Sequence, residues 1–187
     1  MIYKTHSDSP LGGMLLSADD KGLTGLWFDG QKYFAYGLAE SETGEAACHE
    51  SREEEISPLL AEAKHWLDIY FAGKEPDFDL PISLSGTDFQ KKVWGILCTI
   101  PYGKTMTYGQ IAAQLAAEQG ITRMSAQAVG GAVGHNPLSI IVPCHRVVGA
   151  SGSLTGYGGG IDRKVKLLTL EGVDMSRLFV PKKGTAL

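Results

Sequence analysis

Residues 141–149 read IVPCHRVVG, an apolar run that delivers a cysteine, a histidine and an arginine in direct succession. A buried strand spends its positions on Val, Ile and Leu, so Cys144-His145-Arg146 at the end of Leu138, Ile140, Ile141 and Val142 calls for a chemical reason. Pro143 fixes its own φ, restricts the residue before it and donates no hydrogen bond. Strand pairing is therefore expected to stop there, with Cys144 presented on a sharp exit. A free cysteine is most often a core residue. The thiolate is the reactive form, however, and a neighbouring histidine lowers the cost of making it.

The rest of the chain reads as two domains, residues 1–85 and 86–187, joined near Ser83 to Thr87. In the first, Met14–Ala18 and Leu23–Phe28 are short apolar runs separated by Asp19-Asp20-Lys21-Gly22, a hairpin signal. Ser57-Pro58 opens a helix with a capping residue and a proline at its first position. Leu59, Ala63, Trp66, Leu67 and Tyr70 keep one apolar face until Gly73. Residues 30–56, rich in Glu and Ala, read as a variable loop.

In the second domain Thr87 or Asp88 caps a helix whose Phe89, Val93, Ile96, Leu97 and Ile100 recur at helical spacing, and Pro101-Tyr102-Gly103 stops it. Thr107 caps another, running from 108 to about 118 with Ile111 and Leu115 inward. Ser125 caps a third, reaching about Gly134. Two short helices across a brief turn suggest helix-turn-helix. The last of them carries Ala126, Ala128, Gly130, Gly131 and Ala132, and each glycine costs about 1 kcal/mol relative to alanine inside a helix. Close approach of another backbone is implied, either a packed helix or a DNA groove. Residues 151–160 are too glycine-rich for regular structure and should line a pocket, with Tyr157 as an aromatic wall among bare backbone amides. Their glycine spacing matches neither a phosphate-binding Walker loop nor a dinucleotide fingerprint. A helix over 162–170, with Ile161, Val165 and Leu168 inward, ends at Glu171-Gly172.

Four linked blocks now stand in order: FQKKVW at 89–94 followed by IPYGKTMTYGQIA, then AVGGAVG with Asn136-Pro137, then PCHRV, then GYGGGIDRKVKLLTLEG at 156–172. At these spacings residues 86–172 resemble the O6-alkylguanine-DNA alkyltransferases, also called methylated-DNA–protein-cysteine methyltransferases; the N-terminal half matches in general layout. The resemblance implies a ribonuclease-H-like α/β domain of small sheet plus helix, then a mostly helical domain with a winged-helix-like helix-turn-helix. It implies irreversible, single-turnover transfer of a methyl or other alkyl group from O6-alkylguanine in double-stranded DNA, with O4-alkylthymine a further candidate lesion. Cys144 is the acceptor implied, and His145 the base, linked to it by a water. Glu171 orients the imidazole, Asn136 braces the turn, and Tyr108 helps rotate the nucleotide and donates to guanine N3.

An alkyl group on guanine O6 is out of reach of a protein thiol inside the duplex, so the base must flip out. Arg123, Ser125, Gln127, Ala128 and Gly131, with Tyr108, are the DNA-binding residues expected by resemblance. Val147, Val148, Tyr157, Gly158 and Gly159 are the expected pocket, the glycine pair leaving room for groups larger than methyl. Arg146 is read as a structural hydrogen-bonding residue. Most family members carry arginine where this chain has Gln127, and its side chain fills the gap left by the flipped base; glutamine supplies no cation and stacks less well. An alternative is a non-enzymatic lesion binder of the alkyltransferase-like kind, which carries a different residue, typically tryptophan, in place of the cysteine. A Cys-His hydrolase is a third reading and would turn over.

Composition is consistent with this. The net charge of −4 divides unevenly: residues 1–85 hold 6 Lys+Arg and 16 Asp+Glu, a net −10, and residues 86–187 hold 11 and 5, a net +6. A basic half beside an acidic one suggests a nucleic-acid face confined to the C-terminal domain. Three cysteines, Cys48, Cys98 and Cys144, make no paired framework and suit a reducing compartment. MIYKTHSDSP lacks a signal-peptide core. The expectation is a cytoplasmic monomer without obligate protein partner, membrane association or cofactor. No metal site is expected, since Cys48-His49, His6 and His65 have no ligand spacing.

Overall fold

The computed structural model describes residues 2–38 and 57–182. Three antiparallel strands, β1 (Tyr3–Ser7), β2 (Met14–Ala18) and β3 (Leu23–Phe28), form a meander in that order. The β2–β3 turn is locked by one carboxylate: Asp19 Oδ1 accepts from the Lys21 and Gly22 amides at 2.7 and 2.8 Å, and Oδ2 from Ser83 Oγ at 2.8 Å. The free edge of β3 is covered by two further segments. Leu23 bridges in parallel to Ile82 and Leu26 to Leu138, so the interdomain connection and the chain leading to Cys144 both dock on the same strand. An uncovered edge would leave unpaired backbone groups.

Helix α1 (Pro58–Phe71) crosses this sheet. Proline stands at its start as expected, but the Ser57 side chain makes no capping bond. Its buried face is Leu60, Ala63, Leu67 and Tyr70, with Leu59 and Trp66 only partly covered. The expected loop of 30–56 is described only to residue 38, where it forms turns. Residues 39–56, with Cys48 and His49, lie outside the described residues.

The C-terminal half comprises α2 (Asp88–Cys98), β4 (Met106–Thr107), α3 (Tyr108–Glu118), α4 (Ala126–Gly134), β5 (Val147–Val148) and α5 (Ile161–Leu170). Thr87 caps α2 and Thr107 caps α3, each in a reciprocal capping box with a glutamine, Gln90 and Gln110, three residues on. Helices α3 and α4 form the expected helix-turn-helix. Trp94 of α2 donates its indole N–H to the Ala132 carbonyl at 2.9 Å, fixing α4 from below. The core is continuous from Met14 and Leu26 of the sheet through Leu67 to Ile111, Val133 and Val147.

Residues 138–142 are not a strand. Beyond the single bridge at Leu138 the segment turns on itself: Val142 N bonds Leu138 O at 3.0 Å, Ile141 N bonds Ser139 O at 2.8 Å, and Cys144 N bonds Val142 O at 2.8 Å. Pro143, at φ −81° and ψ 63°, sits in the inverse γ-turn well. Ile140, with φ 69°, lies in the left-handed region that a β-branched residue rarely enters. Such a residue persists only where its surroundings over-determine it, and Asn136 supplies that constraint. Its side-chain amide accepts from Leu138 N and donates to the Leu138 and Val142 carbonyls, taking the place of a neighbouring strand. The expected exit is therefore tighter than a strand end: Cys144-His145-Arg146 is a single 3-10 turn.

The stop after α2 also shapes the site. Gly103 has φ +70°, its N–H donates to Glu171 Oε2 at 3.2 Å, and an added Cβ would stand 2.8 Å from the Glu171 carbonyl oxygen. Gly103→Ala is expected to destabilise the protein by at least about 2 kcal/mol, from left-handed strain and displacement of Glu171. Urea unfolding measures it, and a neutral substitution would contradict this packing.

Candidate active site

Cys144 opens the 3-10 turn with 6% of its surface exposed, and its Sγ accepts from Asn136 Nδ2 at 3.0 Å. Burial pushes the thiol up, and the Asn136 bond and the Lys164 charge offset this in part. The sulfur is thus a protected thiol that needs a base. Successive side chains of a 3-10 turn point about 120° apart, so His145 turns away from Cys144 rather than onto it. His145 is fully buried, and Nε2 lies 2.6 Å from Glu171 Oε1. Burial lowers its proton affinity against the opposing pull of Glu171, keeping the ring neutral. With Nε2–H donated to the carboxylate, Nδ1 is the basic nitrogen; it is buried and has no hydrogen-bond partner among the described residues.

Glu171, at the C-terminal end of α5, is 5% exposed. Arg146 grips it with two bonds, Nε to Oε2 at 2.9 Å and Nη2 to Oε1 at 3.0 Å, and passes its third to the Ile100 carbonyl at 2.6 Å. Arg146 is the structural residue it was expected to be. Tyr70 Oη donates to Oε1 at 2.7 Å. Burial raises the Glu171 carboxyl, but the hydrogen bonds from His145 and Arg146, with the Arg146 charge, outweigh it and hold the group at about 2.

Two members of this cluster were not foreseen. Tyr70 reads in sequence as one more residue of an apolar helix face. Lys164 reads as a solvated charge on a helix whose inward residues were expected to be Ile161, Val165 and Leu168. It is instead fully buried beside Leu167 and Leu168, while Ile161 and Val165 are only partly covered. Its Nζ donates to the Val147 carbonyl at 2.6 Å and the Thr155 carbonyl at 2.7 Å. Burial pushes it down to about 8, opposed by the Cys144 charge.

The expected substrate-facing residues divide. Strands β4 and β5 pair in parallel, Met106 with Val147 and Thr107 with Val148, which sets Tyr108 beside the cysteine turn. Tyr108 Oη donates to Thr155 O at 3.1 Å; burial, with the Cys144 charge, pushes this phenol up to about 12, so it stays a donor. Tyr157 is buried with its ring 6.4 Å from that of His145. Val147 packs in the same core as Cys144, whereas Val148 belongs to a separate cluster with Leu154 and Leu168 and faces away, as alternation along a strand requires. The space beside Gly159 is filled by the Tyr157 ring, since a Cβ there would stand 2.5 Å from it, so this glycine does not widen the pocket. Gly158 is held from the other domain, its carbonyl accepting Lys32 N at 3.0 Å.

On α4 the exposed residues include Gln127, Ala128 and Gly131, and apart from its neighbours and its own helix backbone no atom of the described residues lies within 4 Å of a Cβ built on Gly131. A Cβ built on Gly130 would instead stand 3.8 Å from the Tyr108 ring. Ser125 caps the helix through Ala128 N at 3.3 Å. Arg123, exposed, and Ser125 line a groove of about 790 Å³ whose other wall is the small face Ala112, Ala113 and Ala116 of α3.

Two family models match this chain: the 6-O-methylguanine DNA methyltransferase ribonuclease-like domain over residues 2–84 and the DNA binding domain of the same name over 88–173. The chain belongs to the O6-methylguanine DNA methyltransferase family. A methylated-DNA–protein-cysteine methyltransferase of Mycolicibacterium paratuberculosis is 47% identical over 171 residues, covering 91% of this chain and 93% of that one. The Mycobacterium tuberculosis O6-methylguanine methyltransferase crystal structure is 44% identical, with TM-score 0.70 and coverage of 98% and 97%. The M. tuberculosis OGT in complex with DNA is 42% identical, with TM-score 0.71 and coverage of 94% of each chain.

The Glu171 cluster has a pH signature. The carboxyl binds its proton near 4.5 when unfolded and near 2 when folded, so its contribution to stability is complete above about pH 4.5 and is lost as pH falls towards 2. Glu171→Gln is expected to be less stable at neutral pH and to show a shallower loss across that window. Parallel stability curves for the two proteins would contradict it.

Proposed function

We propose that this methyltransferase repairs O6-alkylguanine in DNA by transferring the alkyl group once, and irreversibly, to Cys144. The observation that carries the reading is the buried Cys144 thiol held by Asn136 next to a neutral His145 that is hydrogen-bonded to the Glu171 carboxylate and whose Nδ1 has no hydrogen-bond partner among the described residues. The thiol proton passes to Nδ1 through a water, as the family resemblance implies. Sγ then attacks the alkyl carbon, the carbon–O6 bond breaks, and its electron pair leaves on guanine. Tyr108 donates to N3 as that charge develops, and the imidazolium proton makes up the balance through solvent. The products are a thioether and neutral guanine. Nothing cleaves the thioether, so the protein acts once, and no cofactor enters the balance.

Base flipping brings the lesion to the turn, with the exposed Gln127, Ala128 and Gly131 face of α4 laid in the groove and Arg123 and Ser125 on the flanking backbone. Gln127 occupies the gap without the cation that an arginine would bring. A division at residues 85 and 86 is supported by matches that end at 84 and resume at 88. The protein acts as a monomer in the cytoplasm; the free Cys98 and Cys144 thiols suit a reducing compartment. A lesion-only binder has no use for the thiol, so Cys144 argues for transfer.

Intact mass after incubation with duplex DNA carrying O6-methylguanine tests this. A gain of one methyl group per protein is expected, abolished in Cys144→Ser and retained in Cys98→Ala. Labelling that survives Cys144→Ser, or repeated turnover, would overturn it.

A further inference from the structure

Glu171 receives more donors than orienting one imidazole requires. Its Oε1 alone is reached by His145 Nε2, Tyr70 Oη and Arg146 Nη2, while a carboxylate oxygen has two lone pairs. The third donor competes with the first. Arg146 is accounted for by its two-point grip; Tyr70 is not. It comes from the other domain, 101 residues away in sequence, and its ring is fixed by stacking on Trp66 at 5.6 Å and by edge contacts to Phe71 and Tyr102. A phenylalanine would satisfy every one of those packing contacts. The hydroxyl is therefore present for the carboxylate, where it stands 2.7 Å from Oε1 and 3.4 Å from His145 Nε2.

We infer that Tyr70 is a positioning residue of the alkyl-transfer relay: by sharing Glu171 Oε1 with His145 it limits how tightly the carboxylate holds the imidazole, and so keeps His145 neutral and able to accept the Cys144 proton. The inference rests on the acceptor reading given above. Its direction follows from hydrogen bonding. A donor removed from Oε1 leaves more negative charge for Nε2–H, and the imidazolium is stabilised relative to the imidazole. The other groups facing the pair keep their places: Tyr102 and the Gly103 N–H from the turn after α2, Arg146 and Cys144 from the 3-10 turn, Tyr157 from the 151–160 loop and Lys164 from α5. It also gives the N-terminal domain a role in the reaction, since α1 delivers the hydroxyl only while the domains are docked.

The test is the pH dependence of the transfer rate from duplex DNA carrying O6-methylguanine, for the full chain and for Tyr70→Phe. The acid limb is expected to move to higher pH by about half a unit, since a donor to a charged group has been lost. Leu67→Ala, which removes core packing from the same helix, should lower the unfolding midpoint without moving the limb. 3-Fluorotyrosine placed at position 70, a stronger donor, should move the limb the other way. A Tyr70→Phe profile superimposable on the original, or one shifted to lower pH, would overturn the inference. So would fluorotyrosine that leaves the limb in place. Absence of transfer by the unsubstituted protein would overturn the acceptor reading and this inference with it, whereas transfer with an unmoved limb overturns the inference alone.

Discussion

An ionised carboxylate taken out of water is costly unless donors surround it, and Glu171 meets that condition with hydrogen bonds from three other parts of the chain. His145 and Arg146 come from the 3-10 turn, Gly103 from the turn after α2, Tyr70 from α1, and Glu171 itself ends α5. None of these elements can shift without exposing the charge or leaving it unpaired. The His145 ring orientation, the Cys144 turn and the contact between the two domains are therefore fixed by one ion. Removing Arg146 would leave the buried carboxylate with hydrogen bonds but without its cationic partner, and losing one member of a buried ion pair is strongly destabilising.

Around that anchor the site is built to keep its thiol quiet. Burial favours the protonated sulfur, and the two side chains that oppose it, the Asn136 amide and the Lys164 ammonium, are themselves engaged with backbone carbonyls. In the proposed reaction the thiolate appears when His145 takes the proton. For a protein spent by a single alkylation this is a fitting arrangement, since an exposed thiolate would be consumed by any electrophile. The Thr155 carbonyl takes both Tyr108 Oη and Lys164 Nζ, tying the glycine-rich loop to the start of α3 and to α5.

Local signals were legible in the sequence, and long-range ones were not. The hairpin at Asp19 to Gly22 and the caps Thr87, Thr107 and Ser125 form where their short-range chemistry says they should, because each is decided within four residues. Strand β1, YKTHS, carries no apolar run and is held by pairing with β2. Residues 138–142 have the composition of a buried strand, and only the Asn136 side chain, acting at a distance of up to eight residues, decides for a turn. Lys164 is hydrophilic by type and buried by context, since two carbonyls from other segments stand ready for its ammonium. Tyr70 is the extreme case: nothing near it in sequence hints at a partner on the last helix.

The account turns on the state of His145 in the unalkylated protein. Nitrogen-15 NMR of the imidazole at neutral pH distinguishes its forms directly. The geometry predicts a neutral ring with the proton on Nε2, donated to Glu171, and a bare Nδ1. A ring protonated on both nitrogens, or one carrying its proton on Nδ1, would contradict the assignment of His145 as the base for Cys144.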